Sequence, residues 1–315
     1  MDVILAFALL ASGFMGISIG ASSVAPAFGP VNSSGTASIL RSALLAGVFA
    51  FIGSVVQGAN VSSTVGSGIL GAELTVLQGA LVLLIGSALV IASVLTDYPM
   101  PTAFTLVGAV LGVGIGSGYV VSNPVMAKIL LYWILIPIPA AALGYSIAKL
   151  LRKFVPEEGS ENYIKALLLL SGSYMAYTAG AGSVGLAVGP LQSTGYSMNF
   201  LLVLGGVTIL LGSWIYSPRI IRAVSVDYTN MGPRRSIAAL LSASFLAQIG
   251  IFLGVPISFN EAIIASVIGS GLVESRSNFD ARKISRTGGA WVSAFLLAII
   301  LGFTVSKAIV FSGLA

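Results

Sequence analysis

Three serines in two copies of one motif are the strongest chemical signal in the chain. Gly20-Ala21-Ser22-Ser23-Val24-Ala25-Pro26-Ala27-Phe28-Gly29-Pro30 returns as Gly180-Ala181-Gly182-Ser183-Val184-Gly185-Leu186-Ala187-Val188-Gly189-Pro190. Seven of these eleven positions are identical. Hydroxyls can donate hydrogen bonds to an oxyanion, so Ser22, Ser23, Gly182 and Ser183 are candidate substrate-binding positions. The competing roles for the serines are helix capping and small-residue packing between membrane helices. Gly20, Gly29, Gly180 and Gly189 read as hinge and backbone positions, which allow tight turns and close helix approach.

A second pair of segments carries similar chemistry. Pro99-Met100-Pro101-Thr102-Ala103-Phe104 and Pro256-Ile257-Ser258-Phe259-Asn260-Glu261 each lead into a Gly-rich apolar helix. Helix N-termini present free N–H groups and partial positive charge, which suit an anion. Thr102, Ser258 and Asn260 are the polar side chains available there. Glu261 stands one turn into an apolar span. An ionisable residue at that depth is a functional candidate, here for proton exchange, and the alternative is a water-facing carboxylate at a helix start.

Other chemistry is excluded by what the chain lacks. It has no His and no Cys. The commonest general base and metal ligand is therefore absent, and so is any thiolate or disulfide. A lone membrane Ser has no evident base to activate it. The sequence predicts no enzyme, no metal and no cofactor. The run LGVGIGSG inside an apolar span reads as helix packing rather than a nucleotide loop.

The elements that must hold these residues are membrane helices. The chain is 57% hydrophobic and 8% charged, with mean hydropathy +1.02, against about 25% charged in a soluble domain. About 20 apolar residues cross the hydrocarbon. Spans are expected near 3–18, 40–57, 73–95, 99–121 and 127–148, then 163–178, 198–217, 236–254, 256–273 and 288–311. Each motif, at 19–37 and 179–196, is expected to be a re-entrant hairpin of two short helices, sheltered from lipid. Gly- or Pro-interrupted apolar segments at matching positions in two halves point to a transporter's binding site.

Basic residues orient this arrangement. Arg41, Lys149, Arg152, Lys153, Lys165, Arg219, Arg222, Arg234, Arg235, Arg276, Arg282, Lys283 and Arg286 fall on one side, and Lys128 and Lys307 on the other. By the positive-inside rule the first side is cytoplasmic. The net charge of +5 is then a loop property and no nucleic-acid signal. The fold class expected is an all-α polytopic membrane protein with two inverted-topology repeats, each of five transmembrane helices plus one re-entrant hairpin. Residues 1–151 form the first repeat, 152–165 a cytoplasmic linker and 166–315 the second repeat. The location is the plasma membrane, with both termini extracellular. Small-residue faces permit a homodimer, though packing within one chain accounts for them equally.

These residues together resemble the inorganic phosphate transporter family, the PiT group. Its GANDVANA-type signature corresponds to GASSVAPAFGP and GAGSVGLAVGP, and its PVSTTH-type segments to YPMPTAF and GVPISFNE. The resemblance covers nearly the whole chain in order. It implies an inverted-repeat symporter that binds phosphate between its halves by alternating access, with Na⁺ or H⁺ coupling and with sulfate-carrying relatives. The departures concern acids. The signature Asn-Asp is Ser22-Ser23 and Gly182-Ser183, and family acidic positions hold Ala50 and Leu240. A family-type Na⁺ site is therefore not expected. The substrate expected is phosphate, with sulfate as the alternative inside the family and an uncoupled anion channel or uniporter outside it.

Overall fold

A computed structural model describes residues 3–96, 101–156, 159–229, 231–273 and 281–312. All regular structure among them is helical. Long runs of Leu, Val, Ala and Ile favour this outcome, because in hydrocarbon a helix satisfies every backbone group within itself. The order is α1 (Val3–Ile19), α2 (Gly29–Ser33), α3 (Ile39–Gln57), α4 (Ala59–Ser63), α5 (Val76–Thr96) and α6 (Thr102–Gly116). After these come α7 (Asn123–Leu135), α8 (Pro137–Phe154), α9 (Glu161–Val188), α10 (Met198–Thr229), α11 (Pro233–Phe252), α12 (Phe259–Gly271) and α13 (Ala281–Phe311). Among the described residues, seven segments are long and apolar enough to cross a membrane. One of them, 123–154, joins α7 and α8 across Pro137, which ends the preceding helix as a proline must.

The expected spans at 99–121, 163–178 and 256–273 are not among the seven, for two reasons. Helices α6 and α12 have 15 and 13 residues, or roughly 20 Å at 1.5 Å per residue, against about 30 Å of hydrocarbon. Helix α9 is long enough, with 28 residues, but its Gly, Ser and Tyr residues lower its hydropathy. Large parts of them are enclosed by protein: Thr178 to Val188 of α9 is buried throughout, as is α6 from Thr102 to Gly114, while Tyr163 and Leu170 in the first half of α9 are exposed. Helices enclosed on every side need small residues for close approach rather than a lipid-facing apolar surface.

The two motifs do not form hairpins. In the second copy α9 continues unbroken through Gly180–Val188 and gives way to a 3₁₀ turn only at Gly189–Thr194. In the first copy α1 runs into a π-helical turn at Gly20–Val24, a 3₁₀ turn at Ala25–Phe28 and then α2. Small residues let these stretches remain helical while other backbones press on them. The short helices lie elsewhere, each packed on a long one. Helices α5 and α6 pack together, with Gly86 against Leu106 and Gln78 against Ser117, and α11 packs on α12.

Packing is crossed between the halves. Helix α6 lies along α13, with Gly108 and Gly112 admitting the Phe295 and Ile299 carbonyls and Ser117 Oγ 2.6 Å from Ser306 Oγ. Helix α12 lies along α8, where Gly144 and Gly269 meet the Ser266 and Ala141 backbones. At the centre α3 and α10 run antiparallel: Gly206 meets Phe51 and Ser54, Gly47 meets Leu210, and Ser213 Oγ donates to the Ala43 carbonyl at 3.0 Å.

The two ends of the bundle differ in charge. Ile4 and Val310 line one cavity with Gln78 and Ser117, so α1 begins and α13 ends on the same face. Lys128 and Lys307 belong to that face. The opposite face gathers Lys149, Arg152 and Lys153 at the end of α8, Lys165 at the start of α9, Arg41 at the start of α3, and Arg234 and Arg235 at the start of α11. The expectations for Arg219, Arg222, Arg276, Arg282, Lys283 and Arg286, and for Pro99 and Met100, concern positions outside the described residues or side chains.

Candidate functional site

The motif glycines place the site. A Cβ on Gly20 would strike the Ile209 carbonyl and lie 2.6 Å from the Ser213 nitrogen; one on Gly180 would strike the Ala50 backbone. Ala50 and Ile209 both belong to the central α3–α10 crossing, so each motif is pressed against the middle of the bundle. Gly189 has Ser62 and Val65 within 3 Å of where its Cβ would stand, and Gly29 opens α2 in a buried position.

From these contacts each motif meets the start of one short helix. In the first half Ser23 Oγ lies 3.2 Å from Thr102 Oγ1, across 79 residues of sequence, and both side chains are buried. Ser22 is half-buried; its Oγ donates to the Ser18 carbonyl at 2.7 Å and lies 3.5 Å from Ser23 Oγ. The N-cap residue of α6 is Pro101, which has no capping side chain. In the second half Gly182 faces Phe259, with the ring 3.0 Å from the position of a Cβ. Ser258 caps α12, accepting from the Glu261 N–H at 3.4 Å. Asn260, the next residue but one, is half-buried.

Two polar groups near these starts have no hydrogen-bond partner among the described residues. Ser183 is 0% exposed, and its Oγ is unbonded. Several neighbouring serines bond back to a carbonyl one turn earlier, as Ser54 does to Ala50 and Ser62 to Gly58, while Ser12, Ser42 and Ser266 share the unbonded state. Glu261 is 5% exposed, and its Oε2 is unbonded. Leaving a buried polar group unmatched costs about 1–3 kcal/mol, and more when it is charged.

Trp133 bridges the two helix starts. Its ring stacks on Phe104 of α6 at 3.8 Å, and its Nε1 donates to the Pro256 carbonyl just before α12 at 2.8 Å. A second polar contact joins Gln248 and Gln57, with Gln248 Nε2 donating to Gln57 Oε1 at 2.8 Å and Gln248 Oε1 buried and unbonded. Gln57 ends α3, and the chain beyond it stays helical in α4 and a π-helical turn at Thr64–Gly68, where Ser62 and Val65 pack on Gly185 and Gly189. No group of three or more His, Cys, Asp or Glu residues suited to a metal occurs among the described residues.

The site is thus a meeting of two repeated Gly-Ser segments with two buried helix starts, donor-rich and with Glu261 as the carboxylate beside the second start. Comparison with known proteins adds a family context. The phosphate transporter family PHO4 matches the chain twice, over residues 19–161 and 155–302. The sulfate permease CysP of Bacillus subtilis (strain 168) is 28% identical over 304 residues, covering 94% of this chain and 85% of that protein. Methanocaldococcus jannaschii has a protein named "Putative phosphate permease MJ0630", 26% identical over 303 residues and covering 96% of each. The solved structure of a sodium-dependent phosphate transporter superposes with a TM-score of 0.89 at 19% identity, covering 98% of this chain and all of that one.

Proposed function

We propose that this chain, which belongs to the phosphate transporter family, carries a small tetrahedral oxyanion across the plasma membrane by alternating access. Phosphate is the first substrate. The observation that carries this reading is the pairing of each motif with a buried helix start, Ser23 with Thr102 and Gly182 with Phe259. Hydroxyls and helix N–H groups supply donors to an anion, and nearby carboxylates are scarce enough not to repel it. Ser22, Ser23, Gly182, Ser183, Thr102, Ser258 and Asn260 form the binding set. Gly20, Gly29, Gly180 and Gly189 hold the close backbone contacts around which the halves shift.

The halves are inverted-topology repeats, residues 1–151 and 166–315, joined by the 152–165 linker on the cytoplasmic side. The crossed packing of α6 on α13 and α12 on α8 supports that reading. So does the basic face opposite the termini, which by the positive-inside rule supports both termini lying outside. The re-entrant role in each repeat goes to the short helices α6 and α12, whose buried starts meet the motifs.

Sulfate is the second reading, favoured by the resemblance to a sulfate permease and by serine where the family signature holds acids. Sulfate has no proton to share at neutral pH and needs donors only. Coupling is assigned to a proton on Glu261, the buried carboxyl with an unbonded oxygen. Reconstituted protein should take up labelled phosphate against a gradient when only a pH difference is imposed. Failure of phosphate to displace sulfate would overturn the phosphate assignment. Full pH-driven uptake by Glu261→Gln would remove the proton role, and purely downhill flux would leave an uncoupled path.

A further inference from the structure

We propose that a groove between α7, α8 and α11 holds one anionic phospholipid, with its phosphate at Lys128 and one acyl chain running inward from there. The groove has a volume of about 290 Å³ and shares no residue with the binding set around Ser23 and Thr102. Tyr132, Ile136 and Leu246 form its floor, and Leu131, Leu135 and Ile249 its sides. Ile136 and Leu246 are 4% and 8% exposed, whereas Leu131 and Leu135 are 57% and 55% exposed. The groove is therefore closed beneath and open toward the surrounding lipid. The Tyr132 hydroxyl donates to the Leu246 carbonyl, so it presents no free donor and the floor stays apolar.

Charge and length select this occupant. Lys128 stands exposed at the mouth of the groove, on the face where α1 begins and α13 ends. Its Nζ donates to the Leu253 carbonyl at 2.6 Å, which holds the ammonium at the groove. An ammonium has three N–H donors, so two are left for a phosphate, and no carboxylate lines the groove. A second copy of this chain docked here across a two-fold axis would bring two Lys128 ammoniums together, because such an interface presents the same patch from both sides. The lining positions 128, 131, 135 and 139 recur every three or four residues, so they form one stripe. At 1.5 Å per residue the stripe is roughly 16 Å long, about half of the roughly 30 Å hydrocarbon core and hence the depth of one leaflet. Lipid tails are as apolar as the groove, so the headgroup at Lys128 decides which lipid stays.

The test uses the full chain in phosphatidylcholine nanodiscs doped with phosphatidylglycerol that carries a photoreactive diazirine on one acyl chain. After irradiation, peptide mapping by mass spectrometry locates the label. The expected result is label on Leu131, Leu135 or Ile249. Unlabelled phosphatidylglycerol should displace it roughly fivefold better than phosphatidylcholine does, the factor for one lysine facing an anionic headgroup. Lys128→Gln should cut the labelling roughly fivefold and Lys128→Arg should keep it. Lys307→Gln, at the same face but outside the groove, should leave it unchanged. Should Lys128→Gln fail to fold, the lipid competition on unsubstituted protein decides alone, and Leu135→Trp, which fills the groove from an exposed position, should block the label. Equal displacement by the two lipids, or labelling unchanged within twofold in Lys128→Gln, overturns the proposal. Capture of a second copy of the chain by photoreactive leucine at 131 or 135, in place of lipid, also overturns it. Its failure leaves the transport reading untouched, because the groove and the binding set have no residue in common.

Discussion

Ser23 and Thr102 offer the sharpest separation of a binding role from a packing role. Their oxygens are 3.2 Å apart and buried. A neutral buried hydrogen bond contributes about 0.5–1.5 kcal/mol net, and side-chain pairs between membrane helices average about 0.6 kcal/mol. Ser23→Ala and Thr102→Val, each close in volume to the original, should therefore lower stability by about 1 kcal/mol apiece. Their double-mutant coupling should be near 0.6 kcal/mol. A hydroxyl that also bonds the anion contributes more in the loaded state, about 1.5–3 kcal/mol. The half-saturation concentration for uptake should then rise roughly tenfold to a hundredfold in each single variant. Equilibrium unfolding in detergent gives the first set of numbers and uptake into liposomes the second. Half-saturation within twofold of wild type in all three variants, with the stability coupling present, would refute the binding role and leave a packing contact.

Three further outcomes follow from the same structure. Gly180→Ala should destabilise by about 1–3 kcal/mol, the range for overpacking, because the new methyl meets the Ala50 backbone rather than a movable side chain; Gly288→Ala, where nothing lies within 4 Å, should not, and thermal melts of the two variants decide this. Trp133→Phe keeps a ring on Phe104 but leaves the Pro256 carbonyl without its donor, so stability should fall by about 1 kcal/mol and uptake should slow; unchanged uptake would separate Trp133 from the site. Replacing Na⁺ by choline should leave phosphate uptake intact, since Ser22-Ser23 and Gly182-Ser183 supply no carboxylate for a cation, and collapse of uptake would show that other oxygens bind Na⁺.

Much of this architecture is legible in the residues because burial in a membrane is written into composition. The scarcity of charge, the repeat of Gly-Ala-x-Ser-Val and the proline-led helix starts at Thr102 and Ser258 needed no coordinates. The path of the motifs did. Gly, Ser and Pro in series suggest broken backbone when only local preference is weighed, yet α9 runs helical through Gly180–Val188. Tertiary contact decides the matter: Ala50 and Ser62 press on Gly180 and Gly185 from α3 and α4, and only glycine admits them. Trp133 was illegible for a related reason. Its partners Phe104 and Pro256 are distant in sequence and on opposite sides of it, and no spacing rule links them.

The crossed packing of α6 on α13 sets a schedule for biogenesis. Helix α6 is too short to cross the bilayer alone, and its Ser117 waits for Ser306, 189 residues later in the chain. At 5–20 residues per second, that is roughly 10–40 s of synthesis during which a buried helix lacks the surface it is made to meet. A nascent chain halted before α13 would hold α6 against lipid headgroups or a membrane chaperone. Helix α13 is therefore the one that closes the first half, and truncation before it should injure the N-terminal half first.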